Sequence, residues 1–126
     1  MDKKNDLDSS KEFLLNSFDE IVPILKTIGN SNRFKILILL LEGPLNFQTL
    51  LDKLNLKKSA LANHLTKLKD NGLIRKVHHG TYSLTEDGST YVKAIENTYK
   101  ESRKLEIKRK ELEKRRNMTM SFLERK

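Results

Sequence analysis

The 126-residue chain has no cysteine and no tryptophan, and only two prolines and five glycines. The lack of cysteine excludes disulfides, thiolate metal sites and cysteine nucleophiles. Its longest apolar run, residues 36–41, is far shorter than the roughly 20 residues that cross a bilayer. The polar N-terminus carries no secretory-signal pattern. These absences predict one cytoplasmic domain that does not interact with a membrane.

The sequence also lacks the patterns of common catalytic and cofactor sites. It contains no phosphate-binding G-x-x-x-x-G-K-[ST] loop, no His–carboxylate zinc motif and no Gly-rich turn after a strand. Serine, histidine and aspartate occur without the spacing of a catalytic triad. We therefore expect no enzyme activity, no cofactor and no metal site.

Positive charge is abundant and concentrated in two blocks. The net charge is +8. Residues 53–76 hold seven Lys or Arg against one Asp, and residues 100–126 hold eleven against five Glu. In contrast, residues 1–20 hold three Lys against six acidic residues. The basic blocks indicate a polyanionic partner or, alternatively, well-solvated helix faces.

Apolar periodicity predicts three helices in the first half of the chain. Residues 1–10 are expected to form a disordered tail. An amphipathic helix follows, with Ser10 as its N-cap and a bend at Pro23. Ser31 is the predicted cap of a short apolar helix, and Asn46 that of a third helix.

The second half of the chain predicts a tight turn, a helix, a hairpin and a long helix. A short turn at Asn55 leads into a helix that ends at Gly72, where a left-handed C-cap is expected. The segment LIRKVHHGTYSL then alternates apolar and polar residues around a His-Gly turn, which predicts a β-hairpin. From Thr85 to about Arg116 nothing interrupts a helix. A helix, a tight turn and a second helix with a polar, basic outer face form the helix-turn-helix pattern.

At these residues the chain resembles the ArsR-type winged helix-turn-helix family, over about residues 25–88. The resemblance is carried by IGNSNRFKIL, LNLKKSALANHLTKLKDNGLI and YSLTEDG. It implies an α+β, mostly helical fold: a winged helix-turn-helix with a two-stranded β-wing and long N- and C-terminal dimerisation helices. It also implies a homodimer bound to pseudo-palindromic operator DNA.

The expected organisation and function follow from this fold. Residues 11–88 would form the DNA-binding domain, and residues 85–126 a C-terminal dimerisation helix with a basic tail. The expected function is sequence-specific transcription regulation in the cytoplasm, at the nucleoid when the protein is bound to DNA. The alternatives are an architectural DNA-binding protein with low sequence specificity and a winged-helix module that binds proteins.

The candidate DNA-binding residues lie on the second helix of the motif and on the wing. In the helix, Ser59 and Asn63 are candidates for base edges, the lysines for phosphates, and His64 either for the DNA backbone or for packing at the turn. The helix set is Lys57, Lys58, Ser59, Ala62, Asn63, His64 and Lys67. The wing set is Arg75, Lys76, His78, His79 and Thr81.

The candidate dimer interface combines the first and last helices. The alternative for the last helix is a solvated spike, and its run KRKELEKRRN is either a solvated helix end or an additional phosphate-binding arm. The interface set is Phe13, Leu14, Phe18, Tyr91, Ile95, Tyr99 and Leu105. The expected partners are therefore double-stranded DNA and a second copy. The segment NFQTLLDKL has no Cys or His and no His follows His79, so metal sensing of the ArsR type is not expected, and no small-molecule effector is assigned.

Overall fold

A computed structural model describes residues 3–124, with Lys3 and Lys4 described only by their backbone. Six α-helices, a 3-10 turn and three strands alternate along these residues. The helices are α1 Lys3–Asn16, α2 Phe18–Ile28, α3 Ser31–Leu39, α4 Phe47–Leu54, α5 Lys58–Asp70 and α6 Glu86–Glu124. The strands are β1 Leu45–Asn46, β2 Ile74–His78 and β3 Thr81–Leu84, and the 3-10 turn is Leu40–Glu42.

The N-terminal segment is helical, where the sequence predicted a disordered tail over residues 1–10. Helix α1 begins at Lys3, and the first two residues of that prediction lie outside the described residues. Residues 3–16 contain no Gly or Pro, and Asp6 in the first turn interacts favourably with the helix dipole. Ser10 therefore lies inside α1 and does not cap it.

The chain turns at Ser17, which separates two helices where the sequence predicted one. The Ser17 amide donates to the Phe13 carbonyl at 3.0 Å, and the Ser17 carbonyl accepts from the amide of Ile21 at 3.0 Å. Pro23 lies inside the second helix. The buried Thr27 hydroxyl donates to the Pro23 carbonyl at 2.8 Å. The predicted continuous helix with a bend at Pro23 is thus replaced by two helices that join at Ser17.

Asn30, and not the predicted Ser31, caps α3. Its side-chain oxygen accepts from the amides of Asn32 at 3.1 Å and Arg33 at 3.2 Å. Asn30 has the extended backbone of an N-cap residue (φ −81°, ψ 131°), whereas Ser31 is already helical. The predicted cap of α4 is confirmed, since the Asn46 side chain accepts from the Thr49 amide at 2.8 Å.

The residues through Ser89 form one compact unit. Its core is built almost entirely of leucine and isoleucine from the second to fifth helices, the 3-10 turn and the start of β2. Its members are Ile28, Ile36, Leu37, Leu40, Leu50, Leu61, Leu65, Leu68, Leu73 and Ile74.

The sheet has three antiparallel strands in the order β1-β3-β2, where the sequence predicted a two-stranded wing. The third strand is the two-residue β1, in which Leu45 pairs with Tyr82. Two residues are too few to show an alternating pattern, so β1 is invisible to periodicity. The predicted hairpin of β2 and β3 is present, with Ile74 opposite Leu84.

A close backbone contact joins the hairpin to the first turn of α6. The Thr85 hydroxyl donates to the Gly72 carbonyl at 2.6 Å and accepts from the Gly88 amide at 3.0 Å. Gly88 is buried, and a Cβ at this position would overlap the Leu73 carbonyl oxygen. Only glycine therefore fits at the point where this helix starts.

The described residues from Thr90 to Glu124 belong to a second unit and are all part of helix α6. This helix continues to Glu124, eight residues beyond the predicted end at Arg116. Exposed ion pairs one turn apart join Lys100 to Glu96 at 2.9 Å and Lys110 to Glu106 at 3.4 Å. Such pairs stabilise a helix by only a few tenths of a kcal/mol each, about 0.2–0.5.

Candidate nucleic-acid interface

Helices α4 and α5 are joined by a three-residue turn whose shape is fixed by Asn55. This residue has a left-handed backbone (φ 53°, ψ 48°), and its amide donates to the Leu51 carbonyl at 2.9 Å. Asparagine tolerates this conformation better than most residues. The turn ends α4 and redirects the chain into α5 at Lys58.

Helix α5 has one buried and one exposed face. Leu61, Leu65 and Leu68 are no more than 2% exposed and pack into the core. The residues on the remaining surface are polar or small, and most are exposed. Lys57, Lys58, Ser59, Ala62, Asn63, Thr66 and Lys67 are exposed, and His64 is half-buried. The whole predicted helix set therefore lies together on or beside the outer surface of one helix.

The start of α5 has no side-chain cap. Lys57 has the extended backbone of an N-cap residue (φ −72°, ψ 150°), but its ammonium group has no acceptor and makes no capping hydrogen bond with the first turn. The first amides of a helix carry partial positive charge, which favours an anion nearby. In α5 this end also carries the exposed Lys57 and Lys58.

His64 is bound to Arg33 of α3, a residue that the sequence analysis did not select. The Arg33 Nε donates to His64 Nδ1 at 3.2 Å. Burial, followed by the nearby charges of Arg33 and Lys67, lowers the pKa of His64 below its ordinary value of 6.5. Because Nδ1 accepts, the neutral imidazole carries its proton on Nε2. No local signal pairs residues 31 positions apart, so only the fold reveals this contact.

The other end of α5 is held by a partly buried chain of hydrogen bonds. Asn71 is its C-cap, and Gly72 follows with φ 72°, as predicted for the left-handed position. The Asn71 side chain donates to the Lys67 carbonyl at 2.9 Å and to the Thr27 hydroxyl at 3.0 Å. Thr27 belongs to α2, so this chain ties α5 to the N-terminal helices.

The wing hairpin turns at His79 and Gly80. Gly80 has φ 64°, and its carbonyl accepts from the Phe47 amide at 2.7 Å, which fixes the tip against the start of α4. The ladder shifts register between Lys76 and His78. Of the predicted wing set, Arg75, Lys76, His78 and His79 are exposed and Thr81 is half-buried.

The predicted interface residues are all exposed in the single chain. Phe13 is 67% and Phe18 55% exposed, although large aromatic side chains usually bury most of their surface. The remaining members, Leu14, Tyr91, Ile95, Tyr99 and Leu105, are also exposed. This exposure is compatible with burial of these residues in a dimer interface, and also with the alternative that the last helix is solvated along its length.

Within residues 3–124, no group of three or more His, Asp or Glu side chains could hold a metal ion. None of the helices in this part of the chain has the length and apolarity needed to cross a membrane.

Helices α4 and α5 are joined by a tight turn, α5 has one buried and one exposed face, and a three-stranded sheet forms the wing. These features define a winged helix-turn-helix protein. The family model described as the HVO_A0261 N-terminal domain matches residues 24–107, two thirds of the chain, and the chain belongs to this family. The transcriptional activator HlyU of Vibrio cholerae is 35% identical over 74 residues, which cover 59% of this chain and 68% of HlyU.

Solved structures agree with this assignment. Reduced HlyU from Vibrio cholerae is similar with a TM-score of 0.58 at 31% identity, covering 71% of this chain and 97% of that one. The homodimeric winged helix-turn-helix domain of Mb0332 from Mycobacterium bovis shares the fold, with a TM-score of 0.63 at 21% identity over 70% and 85% of the chains. An ArsR family transcriptional regulator also shares it, with a TM-score of 0.53 at 22% identity over 65% and 93%. The winged helix-turn-helix fold that the resemblance to ArsR-type regulators implied is thus confirmed.

Proposed function

We propose that this chain is a transcription regulator that binds operator DNA as a homodimer, with α5 as its recognition helix. The observation that carries the proposal is the outer face of α5, where polar and basic side chains are exposed opposite three buried leucines. Its relative HlyU is a transcriptional activator, which supports the same role for this chain.

The chemistry of this face suits the major groove. The groove is about 12 Å wide and admits one α-helix. Asn63 can form two hydrogen bonds with adenine, and Ser59 lies one helical turn earlier on the same face. Lys57, Lys58 and Lys67 would contact phosphates, which orients the helix but adds no sequence information.

The wing would extend the contact along the backbone. Arg75, Lys76, His78 and His79 project from a hairpin whose tip is fixed by the Gly80–Phe47 hydrogen bond. Thr81, half-buried, would contribute less. These residues carry positive charge or hydrogen-bond donors, which suit phosphate oxygens or the minor groove.

Dimerisation would place two recognition helices in successive major grooves, about 34 Å apart. The exposed aromatic residues of α1, α2 and α6 supply the apolar surface that such a dimer needs. Mb0332, which has the same fold, is homodimeric. The family resemblance points to the same arrangement.

The test is selection of binding sites from the protein's own genome, followed by affinity measurements on the selected duplex. We expect at least about a thousandfold preference for that duplex over random DNA. Asn63→Ala should reduce this preference, at a loss of about 1–3 kcal/mol per contact. Lys26→Ala removes a different exposed lysine, at the end of α2, and should leave binding unchanged.

The two alternative functions predict different DNA-binding results. An architectural protein would bind tightly with little difference between selected and random duplexes. A protein-interaction module would bind DNA weakly, and its affinity would not respond to substitution of Asn63 or Lys58.

A further inference from the structure

Arg33 and His64 connect the start of α3 with the middle of α5. Arg33 lies in the first turn of α3, where its amide donates to the Asn30 side chain at 3.2 Å. Its half-buried side chain extends to α5, and Nε donates to His64 Nδ1 at 3.2 Å. Helix α3 lies outside the helix-turn-helix of α4 and α5. None of the proposed DNA contacts on α5 and the wing accounts for Arg33.

The guanidinium of Arg33 retains donors that the fold does not use. An arginine side chain carries five N–H groups and keeps its charge in proteins. Within residues 3–124, the bond from Nε to His64 is the single side-chain hydrogen bond of Arg33, and no carboxylate forms an ion pair with it. Arg103 of α6, by contrast, pairs with Glu106 at 2.6 Å. The two terminal nitrogens of Arg33 are thus available to an acceptor from another molecule.

The surroundings of this guanidinium are positively charged. Lys67 follows His64 by one helical turn and is exposed, and it too forms no ion pair with a described residue. Burial of His64, followed by the charges of Arg33 and Lys67, lowers its pKa. The imidazole is therefore neutral at pH 7 and can accept from Arg33. Two cations near one imidazole, without a carboxylate, create a local positive potential that favours an anion.

This positive site borders the proposed DNA-binding face. Lys67 lies four residues after Asn63 and three after His64, so it neighbours both on the helix surface. When a helix enters the major groove, its central face meets base edges, and its flanks lie near the phosphates along the groove. His64 lies on the flank of α5 that Arg33 contacts from α3. That flank therefore brings Arg33 toward the phosphates on one side of the groove.

We propose that Arg33 binds a backbone phosphate of the operator through its terminal guanidinium nitrogens, and that His64 orients it by accepting from Nε. The contact rests on the proposed function, to which it adds a residue of α3. A guanidinium can present two parallel N–H groups to a phosphate, a geometry that lysine lacks. The hydrogen bond to His64 fixes the plane of the guanidinium before DNA binds, which reduces the entropy lost on binding. His64 thus acts on DNA through Arg33, and not by its own contact with the backbone.

The first test measures how the DNA affinity of Arg33→Ala depends on salt. We expect the slope of log K against log salt to become shallower by about 2, because one phosphate contact is lost in each protomer of the dimer. Affinity at about 0.1 M salt should fall at least about tenfold. The ratio of affinities for the selected and a random duplex should stay unchanged, since a phosphate contact carries no sequence information.

Lys35→Ala is the matched control for this substitution. Lys35 is an exposed lysine of the same helix. It lies two residues after Arg33 and therefore on the opposite side of α3. Its removal should change neither the slope nor the affinity.

The second test separates orientation of Arg33 by His64 from a structural role of His64. His64→Leu removes the acceptor and should lower the DNA affinity of the otherwise wild-type protein several-fold. In the Arg33→Ala background it should have no further effect, because no guanidinium is left to orient. His64→Asn should retain most of the wild-type affinity. Asparagine Oδ1 is bonded to Cγ, as histidine Nδ1 is, and can accept in its place.

Circular dichroism shows whether each variant is folded. If Arg33→Ala is not, the wild-type protein supplies an independent measurement by NMR. The resonance of the Arg33 Nε–H group, assigned through the bonds of its own side chain, should shift when the selected duplex is added. An unchanged resonance at saturation would overturn the proposal.

The remaining outcomes overturn the proposal in distinguishable ways. A slope that Arg33→Ala leaves unchanged, while the wild type binds the selected duplex, would reject the phosphate contact but leave the regulator standing. A lower selected-to-random ratio in this variant would make Arg33 a support of the base-reading face instead. An equal effect of His64→Leu in both backgrounds would reject orientation by His64. A wild type without affinity for DNA would reject the proposed function, and this contact with it.

Discussion

At the scale of single residues, the lowered pKa of His64 makes the stability of the fold depend on pH. The folded state disfavours the imidazolium, because burial and the charges of Arg33 and Lys67 lower the pKa of His64. The unfolded chain takes up this proton near pH 6.5. Between the two pKa values the unfolded state binds more protons, so the free energy of unfolding falls as the pH falls through this window and levels off below it.

Urea unfolding at pH 7.5, 6.5 and 5.5 measures this effect. His64→Gln should remove part of the loss of stability between pH 7.5 and 5.5. His79→Gln, which replaces an exposed histidine of the wing turn, should retain it. Identical pH profiles for wild type and His64→Gln would show that this imidazole does not contribute.

A second residue-scale prediction concerns Gly88. Its missing Cβ allows the first turn of α6 to lie against the Leu73 carbonyl. Gly88→Ala must shift the backbone at this contact, and we expect a loss of about 1–3 kcal/mol in the free energy of unfolding. The adjacent Ser89→Ala should change it by less than about 0.5 kcal/mol. Equal unfolding midpoints for the two variants would contradict the close packing.

At the scale of secondary-structure elements, α5 begins without a stabilising side-chain cap. Lys57 has the backbone of an N-cap residue but contributes no capping hydrogen bond. Lys57→Ser should stabilise the protein by about 0.5–1 kcal/mol, because a serine hydroxyl can accept from the first turn. It should also weaken DNA binding, since Lys57 is proposed to contact a phosphate. Lys57→Ala is the matched control: it should weaken binding equally without the gain in Tm.

The elements that could be predicted from the sequence are those with local signals. The caps at Asn46 and Gly72 and the hairpin turn at Gly80 depend on residue types at fixed offsets, and the structure contains all three. The break at Ser17 was missed because apolar spacing continues across it. Asn30 and Ser31 are adjacent and both are good caps, so local chemistry could not choose between them.

The candidate site was predictable to a similar extent and for a similar reason. Leucines at steps of four and three residues define the buried face of α5, and the exposed face follows from them. Contacts between distant parts of the chain were not predictable. Arg33 reaches His64 across 31 positions, and Thr27 reaches Asn71 across 44.

At the scale of the whole molecule, positive charge is distributed unevenly, and this distribution bears on DNA binding. One basic block, residues 53–76, runs from the end of α4 through α5 into β2, and the second, which begins at residue 100, starts within α6. The first block includes the candidate recognition helix and part of the wing, and we assign the phosphate contacts to it.

This assignment of the phosphate contacts predicts how DNA affinity depends on salt. If each protomer contacts about four phosphates, the logarithm of the association constant should fall with the logarithm of salt concentration at a slope near −7. Lys58→Ala and Lys67→Ala should each reduce that slope by about 2, because one phosphate contact is lost in both protomers. Asn63→Ala should lower sequence preference with the slope unchanged. Fluorescence anisotropy from about 50 to 300 mM salt measures all four proteins. A slope that the lysine variants leave unchanged would move the phosphate contacts away from α5.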